Sequence, residues 1–278
     1  MDVQATLEAI AADAERGDMV FPTHAEVALR IQRMLDDPDC SVDQLSKLIS
    51  AEPILSARVV GIANSVTYNA SGRAITDVRN AVSRLGFKTL RALVAALVVR
   101  QMQGMSSSPE HRALAARLWE HTAHVAALAR VIAQRVTHQV PEAAFFAGIV
   151  HEIGAFYLIA RGSHYPGLLE TKLEAWYEHG EAQIGHAVCK ALGIPENLAT
   201  ALDTLWAGYL AMPPESLGDT LLLADQLSPV ESPLAELSGM SNKGMTADID
   251  LLVDGETLSS ILAESAEEVA SLTAALNS

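Results

Sequence analysis

The stretch LSKLISAEPILSARVVGIANS, residues 45–65, decides how the chain is read. Leu45, Leu48 and Ile49, then Leu55, Val59 and Ile62, recur at helical spacing. They predict two short helices joined at Glu52-Pro53, with Pro53 as the first helical residue, where a missing N–H costs nothing. Just upstream, Ser41 and Gln44 have the spacing of a capping box for the first of these helices. Asn64 and Ser65 close the second, because short polar side chains satisfy backbone groups at a helix end. Contact with a partner protein is the other use open to this pair.

The same pattern continues on both sides. Helical periodicity covers residues 2–16 and 25–35 upstream. Downstream, the turn formers of NSVTYNASGR precede TDVRNAVSRL, which Thr76 can cap and Gly86 ends or bends. An apolar helix follows from Phe87 to about Met102. The small, polar GMSSSPEH, residues 104–111, is the best candidate boundary. Beyond it, helices are expected over 110–137, 141–161, 164–179, 181–192, 195–209 and 217–228. A loop-rich segment and a last amphipathic helix from Gly255 to Leu276 complete the chain. No repeat and no strand pair emerges, so the expected fold is all-α, with helical subdomains over residues 1–105 and 106–278.

Composition agrees. Of 278 residues, 50% are hydrophobic but only 5% aromatic, which favours helices packed through small side chains. The net charge of −15 argues against bulk affinity for nucleic acid or an anionic membrane. Twelve acids and a single base fall between Glu215 and Ser278, a solvated acidic surface. Cys40 and Cys189 have neither metal-site nor redox spacing and read as reduced thiols of a cytoplasmic protein. The amphipathic, acidic start has no signal-peptide pattern, and LRALVAALVVRQM is too short to span a bilayer.

LDDPDCSVDQLSKLISAEPILSARVVGIANS and the separate ITDVRNAVSRLG together resemble the HDOD domain, a signalling module related to the HD phosphohydrolases. LWEHTAHVAALARVIA, AAFFAGIVHEIG and LLLADQLS then match, in order, that family's HD-like half. The resemblance covers about residues 19–230. It implies an N-terminal HDOD-type bundle, a C-terminal HD-like bundle, and a role in bacterial signal transduction through protein partners, including use as the output part of a response regulator.

HD enzymes hold metal with a His, a His-Asp pair and a later Asp. The matching positions are His121, His151 with Glu152, and Asp225. Glu152 replaces the Asp of the pair and adds a methylene, which is expected to displace that carboxylate. The family's late His-His pair is Leu205-Trp206 here, and Glu181 stands where His is common. The resemblance therefore implies a degenerate site. It needs no cofactor, although its donors suit an adventitious Zn²⁺, Mn²⁺, Fe²⁺ or Mg²⁺. The alternatives are an HD-type phosphohydrolase and a small-molecule sensor that uses the same pocket.

Six bases and one acid lie between Arg73 and Arg100, with Lys88 and Arg91 on one helix face. Without interleaved aromatics this is no nucleic-acid groove, and it reads as a solvated or partner-binding face. The expected boundaries predict that limited proteolysis cuts first at Gly104–Pro109 or within residues 238–246, where Gly, Ser and Asn concentrate. Early cleavage inside 41–100 with both of these stretches intact contradicts them.

Overall fold

The computed structural model describes residues 2–16, 25–106, 108–171, 173–211, 213–239 and 255–277. The described residues contain helices and turns and no strand, so the fold is all-α. Four helices carry the first quarter: α1 (Val3–Glu15), α2 (Ala25–Asp36), α3 (Val42–Ser50) and α4 (Pro53–Ala63). The Ser41–Gln44 capping box and Pro53 at the start of α4 are both present. The long α5 (Val78–Gln103) turns at Gly86, whose φ of 74° is in the range that favours glycine. Asp77, not Thr76, caps α5: its carboxylate accepts from the Asn80 N–H.

The second half is built on α6 (Pro109–Arg135), capped by Ser108, and on α7 (Pro141–Val150). The single helix expected over 141–161 is interrupted, and α8 starts afresh at Ile153–Arg161. The reason is local. A ring nitrogen of His151 takes the Gly148 carbonyl at 2.8 Å, the acceptor that the Glu152 N–H would use in an unbroken helix. The expected helix over 164–179 is also absent. A 3₁₀ turn at Gly162–His164 meets Pro166 and Gly167 (φ 89°), and among the described residues helical form returns only over 174–180, within which Trp176–Gly180 is a wide π-type turn. Then come α9 (Glu181–Ala191), α10 (Glu196–Ala207), α11 (Leu217–Gln226) and the short α12 (Pro233–Ser238). The last expected helix is two, α13 (Gly255–Glu264) and α14 (Ala266–Asn277), parted at the buried Ser265.

One contiguous apolar cluster runs from Leu7 in α1 to Leu276 in α14. Helix α6 lies at its centre, packed on α7, α11 and α14, while α5 joins α2, α3 and α4 to α7. Besides the α5–α7 packing, two further helices cross the expected boundary. Helix α1 packs on α9, and α14 lies over α4 and α6. The second crossing is held by Arg130 of α6, which bonds Glu268 at 2.6 Å and stacks over Tyr68. Ser271 adds a second tie, its hydroxyl oxygen accepting from the Val66 N–H. The stretch Pro141–His164 is apolar and long enough to cross a bilayer by composition, but 94% of that window is buried in the fold.

Close approach depends on missing side chains. A Cβ at Gly148 would sit 2.9 Å from the Ala126 nitrogen and closer still to its Cα, so α7 lies directly on the α6 backbone. Gly154 plays the same part between α8 and α9, where an added Cβ would sit 2.9 Å from the Gly185 nitrogen, while Gly185 leaves room for the Trp206 ring of α10. Gly148→Ala is therefore expected to lower stability by about 1–3 kcal/mol, the usual cost of overpacking. Gly104→Ala, whose Cβ would meet nothing nearer than 3.6 Å, is expected to be neutral or mildly stabilising. Urea denaturation of both variants checks the contrast.

Candidate metal centre

The α6–α7 contact brings His121 and His151 face to face. Their Nε2 atoms are 3.1 Å apart, and both rings are almost wholly buried. Asp225, from α11, places Oδ1 3.2 Å from His121 Nε2 and 3.9 Å from His151 Nε2. Glu152 Oε1 is 4.0 Å from His121 Nε2. The displacement expected from the extra methylene thus does not take the carboxylate out of the cluster. Donor atoms of His121, His151 and Glu152 lie within 4.8 Å of one another. The helix break at 151–152 contributes, because Glu152 sits outside helical geometry at φ −98°, ψ 20°.

Each histidine also turns its other nitrogen to a backbone carbonyl. His121 Nδ1 is 2.7 Å from Val230 O, and His151 Nδ1 is 2.8 Å from Gly148 O. A carbonyl only accepts, so both Nδ1 atoms carry hydrogen. The two Nε2 atoms then face each other and the Asp225 oxygen as acceptors, an arrangement that needs a cation among them. A proton is one solution. A divalent metal is another, and the donor set suits it: two imidazoles oriented by backbone carbonyls, with carboxylates beside them.

Without metal, the proton belongs to His121. Burial alone would lower its pKa, but the hydrogen bond and charge of Asp225, with Glu152 behind, raise it. His151 is pushed down to about 4, first by burial and then by its neighbour His121. Burial would raise Asp225, yet its bond to His121 holds it below its ordinary value. Burial drives Glu152 upward. Its Oε2 is buried without a hydrogen bond of ordinary geometry, although the Ser232 hydroxyl is close enough to favour its charged form.

Two cavities reach this cluster and share Asp225, Gln226 and Ser232. The outer one, about 430 Å³, opens between α6 and the 228–236 segment and contains Arg117, Glu120, Glu231 and Glu236. The inner one, about 310 Å³, is lined by His151, Glu152, Tyr177, Glu181, Leu205 and Trp206 among others, with no Lys or Arg. Sequence reading marks Glu181 and Leu205-Trp206 only as departures from a family pattern, and the structure turns all three toward His151. Packing of α8 on α9, with Gly154 against Glu181 and Gly185, is what brings Glu181 there, a pairing that local periodicity does not reveal. Burial first, then the charges of Glu152 and Asp225, raises the pKa of Glu181 well above the carboxylate range.

The other expected site residues lie in the first half of the chain, on α4–α5, apart from this cluster. Asn64 bonds Ile75 through both side-chain atoms, Nδ2 to O at 2.7 Å and Oδ1 from N at 2.8 Å, and so pins the loop after α4. Ser65 is buried and donates to the Ile62 carbonyl. Both therefore have internal structural roles. Arg91 is bound to Asp36 and donates to the Leu35 carbonyl, which ties α5 to the end of α2. Lys88 remains exposed.

The HDOD domain model matches residues 21–204 of the chain. A crystal structure from Shewanella amazonensis SB2B, proposed to be a metal-dependent phosphohydrolase, superposes with a TM-score of 0.73 at 20% identity, covering 99% of this chain and all of that one. An HDOD domain protein of unknown function from Geobacter sulfurreducens gives 0.62 at 23% identity, over 99% and 98% of the two chains. Among curated proteins, an uncharacterised protein of Treponema pallidum (strain Nichols) is 24% identical over 206 residues. That match takes in 69% of this chain but only 38% of the relative.

Glu181 offers a direct test of the electrostatics. Its pKa is raised in the fold, so the folded protein favours the protonated form. Any stability linked to that proton is complete below the ordinary glutamate range and is lost as pH rises through the folded value. Glu181→Gln should therefore stabilise the chelator-treated protein by about 1 kcal/mol at pH 8, with the gain shrinking toward pH 4.5. Denaturation curves at both pH values check this.

Proposed function

The chain belongs to the HDOD family, and from that premise we propose that it is a signal-transduction module that works by binding other proteins rather than by catalysis. The buried His121, His151 and Glu152, with the half-buried Asp225, then serve the fold. They hold either a shared proton or one divalent ion between α6, α7 and α11. Such an ion would supply a positive centre that cross-links three helices. The reading suits a cytoplasmic protein, and Cys40 and Cys189 are both free thiols. It leaves Lys88, exposed on α5, available to a partner.

One observation carries the non-catalytic reading, and it is the charge of the cavities. The inner cavity brings Glu152, Glu181 and Asp225 together without any Lys or Arg. The outer one sets a single arginine, Arg117, against Glu120, Asp225, Glu231 and Glu236, and Arg117 already pairs with Glu236 at 2.8 Å. Phosphoester hydrolysis needs cations that cradle the phosphate as charge develops. Here a phosphate would meet carboxylates on both approaches. Leu205 and Trp206 add apolar surface at positions where the family resemblance leads one to look for further histidines.

The test is an assay of purified protein with Mn²⁺, Fe²⁺ or Mg²⁺ against cyclic dinucleotides, nucleoside phosphates and an aryl phosphate. The expected result is turnover no greater than with metal alone, together with up to one equivalent of bound divalent metal that His151→Ala removes. Metal-dependent turnover lost in a folded His151→Ala variant would establish a hydrolase instead.

A further inference from the structure

Away from that centre, two arginines converge on one tryptophan. Arg58 of α4 and Arg100 of α5 place their guanidinium carbons 5.9 and 5.2 Å from the ring centroid of Trp119 on α6. Trp119 is 1% exposed and Arg58 only 5%. Among the described residues no acceptor meets Arg58 Nε, Arg58 Nη1 or Trp119 Nε1, all three of them buried. Nor does any described carboxylate pair with either arginine. Burial first, and then the Arg100 charge, lowers Arg58 to about 10. Burial also lowers Arg100, which stays partly open to solvent.

This arrangement is unusual on physical grounds. A buried guanidinium is costly unless it is paired and hydrogen-bonded. Contact with an indole face compensates in part, but it satisfies no N–H. Two like charges over one ring make the deficit larger. Elsewhere in the molecule the buried or half-buried arginines have partners: Arg130 has Glu268, Arg161 has Asp13, and Arg91 has Asp36. In a chain of net charge −15, carboxylates are plentiful, yet none among the described residues serves this pair.

We propose that Arg58, Arg100 and Trp119 form an oxyanion site that takes a small phosphate-bearing ligand where α4, α5 and α6 meet. The forked N–H groups of arginine match the oxygens of a phosphate, and a dianion balances both cations. The Trp119 N–H is a third donor within the same cluster. Partly open Arg100 provides the entry side, and enclosed Arg58 provides the grip. The ligand class is a phosphate or phosphomonoester small enough to reach a largely buried arginine. The site is separate from the His121 cluster and does not depend on it. Because Trp119 precedes His121 by two positions, occupation would act on the helix that carries the buried histidine pair.

The experiment is thermal unfolding of the full chain titrated with inorganic phosphate, with a phosphomonoester as a second arm and with sodium chloride at matched ionic strength as the control. Wild type should gain melting temperature in a saturable way with phosphate and not with chloride. Arg100→Gln should weaken apparent phosphate affinity at least about tenfold while circular dichroism stays unchanged. Arg58→Met, which keeps the bulk and contact with Trp119 but removes the charge, should abolish the response. The phosphomonoester arm decides the source: tighter binding than inorganic phosphate points to an organic ligand, and equal binding points to free phosphate. The proposal is overturned by no saturable response in wild type, or by an equal response in Arg100→Gln and Arg58→Met, which would mean an adventitious ion only. It is also overturned if Arg58→Met is stabilised while wild type ignores phosphate, because then the ring contacts alone account for the pair.

Discussion

Everything in the second half of the molecule depends on how closely α7 can lie on α6. Gly148 sets that distance, since any side chain there would run into the backbone of Ala126. At this separation two imidazoles on neighbouring helices point their Nε2 atoms at each other rather than past each other. The alanine-rich composition follows from the same demand. Ala123, Ala126, Ala129 and Ala133 on α6, with Ala144 and Ala147 on α7, are fully buried and keep both helices thin where they meet. Few aromatics are needed in such a core. Those present pack on one another, as Trp119 does edge-on against Phe156.

The polar cluster is a charge problem solved inside an apolar wall. Two neutral imidazoles and a carboxylate cannot face one another without a positive charge among them. The raised His121 and the depressed His151 are the metal-free solution. Glu152 and Glu181 complicate it, because each is buried beside other acids and is driven toward its neutral form. The result is a pocket that welcomes cations and disfavours anions. Charge of the opposite sign is concentrated at Arg58 and Arg100, around Trp119 of the same helix α6.

Much of this is legible in the sequence. The helix starts at Val42 and Pro53 carry local signals, a capping box and a proline, and both hold. His121, His151 and Asp225 can be named from motif order alone, and the structure brings them together. The misses have physical causes. The break at His151–Glu152 arises because a side chain competes with the backbone for one carbonyl, which apolar periodicity cannot register. The expected helix over 164–179 overlooks Pro166-Gly167. Asp77 wins the cap from Thr76 because its carboxylate reaches the Asn80 N–H. Glu181, and the committed bonds of Asn64 and Arg91, depend on long-range packing that no local pattern encodes.

The crossings made by α1 and α14 bear on how the molecule could carry a message. With α1 clasped to α9 and α14 strapped across α4 and α6, the two halves share both a seam and its stitching. A hinge between them would have to tear the Arg130–Glu268 bond and the continuous core at once. Motion of the rigid-hinge kind is therefore costly here. A signal is better carried as a shift in tightness, with the same arrangement held more or less firmly, and a partner would sense the stiffness of a surface rather than a change in its shape.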